Sequence, residues 1–127
     1  MELIKLTAIE IIDLLKSKKI TPLDCLDALE TRIADIDKKI NALPILCFDR
    51  ARNRAKTLME KNVKSRGQLL GLPVPIKDLN DVAGVKCTKG SLIYKNNISD
   101  ESDYFVKIIE NNGGLIYAKS NTPEFGA

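Results

Sequence analysis

Residues 67–91 read G-Q-L-L-G-L-P-V-P-I-K-D-L-N-D-V-A-G-V-K-C-T-K-G-S, and residues 112–127 read N-G-G-L-I-Y-A-K-S-N-T-P-E-F-G-A. In the first stretch Leu69 to Lys77 is a strand candidate, an apolar run that ends on a lysine and passes into the polar turn Asp78-Leu79-Asn80-Asp81. Leu115-Ile116-Tyr117-Ala118 is a second strand candidate. Between them Ser102 is placed to cap a helix running through Asn112, with Phe105, Ile108 and Ile109 on one face and Gly113 as its left-handed terminator. Strand, helix and strand in that order predict a right-handed parallel crossover. The expected fold class is therefore α/β, a small mixed sheet with helices packed against it.

Upstream, Thr7 followed by Glu10 forms a capping box, with Leu6 and Ile11 placed as a hydrophobic staple, so a helix is expected to begin at Ala8 and to end near Lys16, Lys18 and Lys19. Pro22, at a first helical position, opens a second helix. Its residues Leu26, Leu29, Ile33, Ile36 and Ile40 draw one apolar stripe, read as packing within the chain rather than as a coiled-coil seam of only about two heptads. Residues 1–40 thus form a helical lead-in, and residues 41–127 form the α/β part of what is treated as one domain. Asn41 to Phe48 is a short strand candidate whose Pro44 favours an edge. Asp49 opens a helix through about Glu60, with Ala51, Ala55, Leu58 and Met59 inward.

The residue with the most chemical interest is Lys77. A lysine closing an apolar stretch is placed where desolvation depresses its amine enough to serve as a base near neutral pH. The competing reading is a strand-end lysine whose stem covers apolar surface while its ammonium reaches water. Asp78 follows it directly, and neighbouring strand residues point to opposite faces, so Asp78 need not pair with Lys77. Asp78 and Asn80 are expected instead to tie down the turn backbone. Lys119 ends the second strand and is the other lysine in such a setting.

The order G-L-P-V-P-I-K-D-L-N-D-V-A-G-V, then T-K-G-S, then A-K-S-N-T-P-E-F-G resembles the amidase signature family of hydrolases. The likeness is specific over Gly71–Gly126 and looser before it. It implies an incomplete amidase signature fold led by the 1–40 helices, which in the family lean on the main domain and often take part in dimer contacts. It also implies amide hydrolysis by a serine nucleophile, a second serine in a cis peptide and a lysine base, with neither metal nor organic cofactor. Lys77 matches that lysine, and Lys119 matches the structural lysine of the lysine-x-asparagine segment. Ser91 and Ser120 match other positions of the pattern, so neither stands for a catalytic serine. Both of those serines lie, in the family, in a glycine- and serine-rich segment some tens of residues after the position of Ala127. The expectation is an N-terminal portion that carries the lysine and is inactive alone, since a base without an activated hydroxyl cannot run acyl transfer. Alternatives are a non-catalytic interaction module, a complementing half of a split enzyme, the remnant of a decayed gene, or a portion of the A subunit of a tRNA-dependent amidotransferase.

Composition bounds the remaining classes. The chain has 127 residues, one domain in length. It has no histidine, which removes histidine-based triads and the commonest metal ligand. Cys25, Cys47 and Cys87 are odd in number and far apart, fitting neither a disulfide framework nor a zinc site and agreeing with a reducing cytoplasm. The start of the chain shows no signal peptide, and no run reaches the ~18 apolar residues of a membrane span. From Arg50 to Arg66 seven basic residues face one acidic one, yet no aromatic interleaves them before Tyr94, so a solvated helix face is preferred to a nucleic-acid surface. The partners expected are a second copy of the chain or a C-terminal amidase portion, with a small-molecule amide bound only when the site is completed, and neither nucleic acid nor membrane.

Overall fold

A computed structural model describes residues 2–127. Helix α1 spans Ala8–Lys16 and helix α2 spans Pro22–Ile40. Both open on full capping boxes. The Thr7 hydroxyl accepts from the Glu10 N–H while the Glu10 carboxylate accepts from the Thr7 N–H, and Thr21 with Asp24 repeats the arrangement. The stripe of α2 packs within the chain over most of its length. Leu26 is buried, Leu29 and Ile33 lie partly buried against the same cluster, and the stripe runs off its support at Ile40, which is 61% exposed.

Strand β1 (Ile45–Leu46), helix α3 (Phe48–Met59), strand β2 (Pro73–Lys77), helix α4 (Tyr104–Asn111) and strand β3 (Leu115–Ser120) complete the fold. The sheet order is β1-β3-β2, with β1 antiparallel and β2 parallel to β3, as the crossover predicts. Strand β3 is central and buried on both faces, which explains why its sequence is a continuous apolar run rather than an alternation. Leu115 and Tyr117 join Leu26, Phe48, Ala51 and Ala55 beneath α2 and α3, while Ile116 joins Ile76, Val82, Val85 and Val106 on the other side. A third cluster of Ile11, Leu15, Cys25 and Leu70 ties the lead-in helices to the turn before β2.

Four expectations shift. Strand β2 begins at Pro73 rather than Leu69, because Leu70 and Gly71 adopt positive φ of 55° and 99° in a turn pressed against Pro22 of α2. Helix α3 begins at Phe48, one residue early, because the Phe48 ring belongs to the core under α3. Ser102 does not cap α4. Its hydroxyl accepts from the Ala83 N–H at 2.9 Å and pins that loop, and Asp103 is the residue before the helix. The inward face of α4 is Val106, Ile109 and Glu110, leaving Phe105 and Ile108 each 43% exposed, because Arg50 and Arg54 draw the Glu110 carboxylate inward.

The open edge of β2 is blunted by its own sequence. Asp78 donates its N–H to the Ser120 carbonyl at 3.0 Å, so alternation turns the nitrogens of Pro73 and Pro75 toward the unpaired side, where no donor is needed. Among the described residues no helix is long and apolar enough to cross a membrane.

Candidate active site

Lys77 is the last residue of β2 and Ser120 the last of β3, so the carboxyl ends of the parallel pair present both together. Ligand sites of open α/β sheets gather at such ends. Three segments converge there: the turn 78–81, the turn 87–91 and the tail 120–126. Gly90, at φ +69°, lets the second turn meet the third segment, since a Cβ at that position would lie 2.8 Å from the Thr122 carbonyl oxygen. Phe125 donates its N–H to the Lys89 carbonyl at 2.7 Å, and its ring meets Tyr94 edge-on at 6.1 Å. Ser91 is buried and accepts from the Ile93 N–H through its hydroxyl, so it serves the turn.

Asp78 is the tie between these segments. Its carboxylate accepts from the Thr88 N–H at 3.0 Å, from the Thr88 hydroxyl, and from the Lys119 ammonium at 3.1 Å. Its carbonyl accepts from the Lys89 N–H at 2.9 Å. Asp78 therefore fixes backbone as expected, whereas the Asn80 side chain reaches past its own turn to donate to the Asp103 carboxylate at 3.1 Å.

The two candidate lysines differ sharply. Lys119 is fully buried, with its ammonium shared between Asp78 and the Lys86 carbonyl, the latter at 3.1 Å. A charge so enclosed and paired cannot reach a substrate. Lys77 is exposed, and no hydrogen bond or ion pair holds its side chain among the described residues. Of the two readings of Lys77, the exposed side chain is that of the strand-end lysine reaching water: alternation sends Asp78 inward and Lys77 outward, and the buried lysine is the one on β3. Sequence reading missed Thr88 as a partner of Asp78 and the pairing of Asp78 with Lys119. The available signal was a lysine closing the all-apolar run of a central strand, which requires a buried anion.

Other reactive groups are muted or committed. Burial pushes the Cys25 and Cys47 thiols up to about 11 and raises Cys87 as well, the last with its S–H toward the Asn80 carbonyl at 3.6 Å. The basic run is largely spent inside the fold. Arg52 pairs with Asp27 and Glu30, Arg50 and Arg54 hold Glu110, and Arg66 donates to the carbonyls of Lys61 and Met59. Of the run, Lys56, Lys61 and Lys64 remain exposed.

The model of the family described as Amidase matches residues 24–127. The chain belongs to the amidase family. The A subunit of the glutamyl-tRNA(Gln) amidotransferase from Halothermothrix orenii is 34% identical over 125 residues, covering 98% of this chain and 25% of the relative. Its counterpart of the same name from Clostridium novyi is 38% identical over 128 residues, covering 98% and 26%. Among solved structures, an inhibitor-bound vestigial protein complex, described as revealing the evolutionary origins of an s-triazine catabolic enzyme, superposes with a TM-score of 0.87 at 25% identity. That match covers 94% of this chain and 27% of the other. The chain spans about a quarter of the length of the curated amidase relatives it matches, corresponding to an N-terminal portion, and its helical lead-in and three-stranded mixed sheet form part of the amidase signature fold.

Proposed function

We propose that this chain supplies the lysine-bearing part of an amidase active site, in the manner of the A subunit of a tRNA-dependent amidotransferase, where the chemistry releases ammonia from glutamine. The supporting observation is the contrast between the two lysines: Lys77 stands uncommitted at the carboxyl ends of β2 and β3, and Lys119 is enclosed. Both curated relatives named above are amidotransferase subunits, which favours that parent over an amidase acting on simple amides.

In this reading the Lys77 amine takes a proton from a serine supplied from outside residues 2–127. That serine activates a second, nucleophilic serine, which attacks the amide carbon and forms an acyl-serine. The proton passes to the leaving amine as the carbon–nitrogen bond breaks, and water then hydrolyses the acyl-serine, releasing the carboxylic acid and restoring the serine hydroxyl. Acid–base and nucleophilic steps carry the reaction, so it calls for neither metal nor organic cofactor. The working partner is the portion of the amidase fold that bears the serines, and it seats on apolar surface this chain leaves open, where Leu92 and Ile93 are 84% and 82% exposed beside Phe125. A second copy of the chain competes for the same surface. The compartment is the cytoplasm, where Cys25, Cys47 and Cys87 remain free thiols.

The test is ammonia release from glutamine and from a panel of aryl and aliphatic amides, by the purified chain alone and mixed with a serine-bearing portion of an amidotransferase of this kind. Turnover of glutamine in the mixture alone is expected. Turnover confined to simple amides would replace the amidotransferase reading with an ordinary amidase. Absence of turnover in every combination would leave an interaction module.

A further inference from the structure

The Lys77 side chain is exposed and makes no hydrogen bond or ion pair among the described residues, so the direction in which it leaves β2 is set by its backbone. Around it, Asp78 donates its N–H to the Ser120 carbonyl at 3.0 Å, and Asn80 donates its N–H to the Lys77 carbonyl at 3.0 Å. The Asp78 side chain adds a further hold from the opposite face, where it enters the interior and the residue is 3% exposed.

Lys119 and Thr88 grip that carboxylate differently. Lys119 meets Oδ1 alone, at 3.1 Å, and supplies the opposite charge. Thr88 meets both oxygens, its N–H donating to Oδ1 at 3.0 Å and its hydroxyl donating to Oδ2. Two points of attachment from one residue fix the plane of the carboxylate, which a single bond to an ammonium does not. The Thr88 hydroxyl in turn accepts from the Gly90 N–H at 3.2 Å, and its own proton is left for Asp78. Gly90 lies close against the carbonyls of Thr122 and Pro123. A line of contacts thus runs from the tail through Gly90, Thr88 and Asp78 to the peptide of Lys77.

We propose that Thr88 is a positioning residue for Lys77: by gripping both carboxylate oxygens of Asp78 it fixes the 77–78 peptide, and with it the direction of the lysine stem over the carboxyl ends of β2 and β3. The inference rests on the reading of Lys77 as the base and adds what aims it. Thr88 touches neither substrate nor the reacting atoms in this account. Aim matters because a displacement of about 1 Å at a reacting group costs up to about 10²-fold in rate.

Thr88→Val keeps the shape of the side chain and leaves Asp78 Oδ2 without its donor, whereas Thr88→Ser keeps the hydroxyl. Amide hydrogen exchange of the 127-residue chain, read residue by residue by NMR, reports the hold directly. In Thr88→Val the Asp78 and Asn80 amides are expected to exchange roughly ten-fold faster, the size of one hydrogen bond to a charged group, with a smaller change at Leu26 of α2. Thr88→Ser is expected to exchange at the native rate. Unchanged Asp78 and Asn80 amides in Thr88→Val overturn the proposal, and so does a rise no larger than that at Leu26, which would be a loss of stability shared by the whole chain. In the enzyme completed with a serine-bearing portion, Thr88→Val is expected to lower kcat roughly ten-fold at unchanged KM, with recovery in Thr88→Ser. On top of Lys77→Met the same change should cost nothing more, because a residue acting only through the lysine has nothing left to aim. An equal further loss in that background overturns the proposal. The reading of Lys77 as the base fails separately, through turnover retained in Lys77→Met with Thr88 in place, and the exchange result does not depend on it.

Discussion

Replacing Lys119 by methionine would strand the Asp78 carboxylate in the interior, where its remaining partner side chain is Thr88. Breaking a buried ion pair by removing one partner costs ~3–5 kcal/mol, most of it the penalty on the charge left behind. Lys119→Met is therefore expected to lose stability on that scale in chemical denaturation. The double variant Asp78→Asn, Lys119→Met should lose less than the sum of the two single changes, because the stranded charge is gone. Additive losses would show that the pair does not act as a unit. Cys25 carries a pH dependence of its own. Burial, reinforced by the neighbouring Asp24 carboxylate, raises its thiol from 9.0 to about 11. The folded state then keeps a proton that the unfolded chain has lost, so the Cys25 contribution is whole below pH 9 and fades as pH rises through about 11. Urea denaturation between pH about 8 and 11 should show stability falling more steeply in the native protein than in Cys25→Ala, by roughly 2–3 kcal/mol over the range. Equal slopes would contradict this assignment.

Elements whose signals are local were legible in the sequence, and those set by distant partners were not. The capping box of Thr7 and Glu10 lies within one turn, so the start of α1 could be read directly. The parallel crossover was equally readable from strand, helix and strand in succession. The face of α4 was not, because Arg50 and Arg54 lie on α3 and their hold on Glu110 depends on tertiary approach. The same holds within the site. Alternation along β2 separates Lys77 from Asp78, but the partner of Asp78 lies 41 residues further on. Gly113 illustrates a turn that was legible and is also indispensable. It has φ +89°, and a Cβ there would sit 2.0 Å from the Arg66 carbonyl oxygen. Gly113→Ala should cost more than the ~1 kcal/mol of backbone preference alone, since the turn after α4 must also retreat from residue 66. A melting temperature equal to that of the native protein would refute the close approach.

At the scale of the whole molecule, the fold reads as a scaffold that holds one lysine outward. Strand β3 is enclosed on both faces, Asp78 and Lys119 lock the turns at the carboxyl ends, and two prolines keep the free edge of β2 from recruiting another strand. Apolar surface around Leu92, Ile93 and Phe125 is exposed beside that end. In the proposed function Lys77 is the base and Lys119 only supports it. Amide turnover of the chain completed with its serine-bearing portion, compared between the native sequence and Lys77→Met, tests this most directly. Lys77→Met is expected to fold and assemble like the native chain while losing turnover by about 10²–10⁴-fold, the usual contribution of a general base. Turnover within a few-fold of native in Lys77→Met would contradict it.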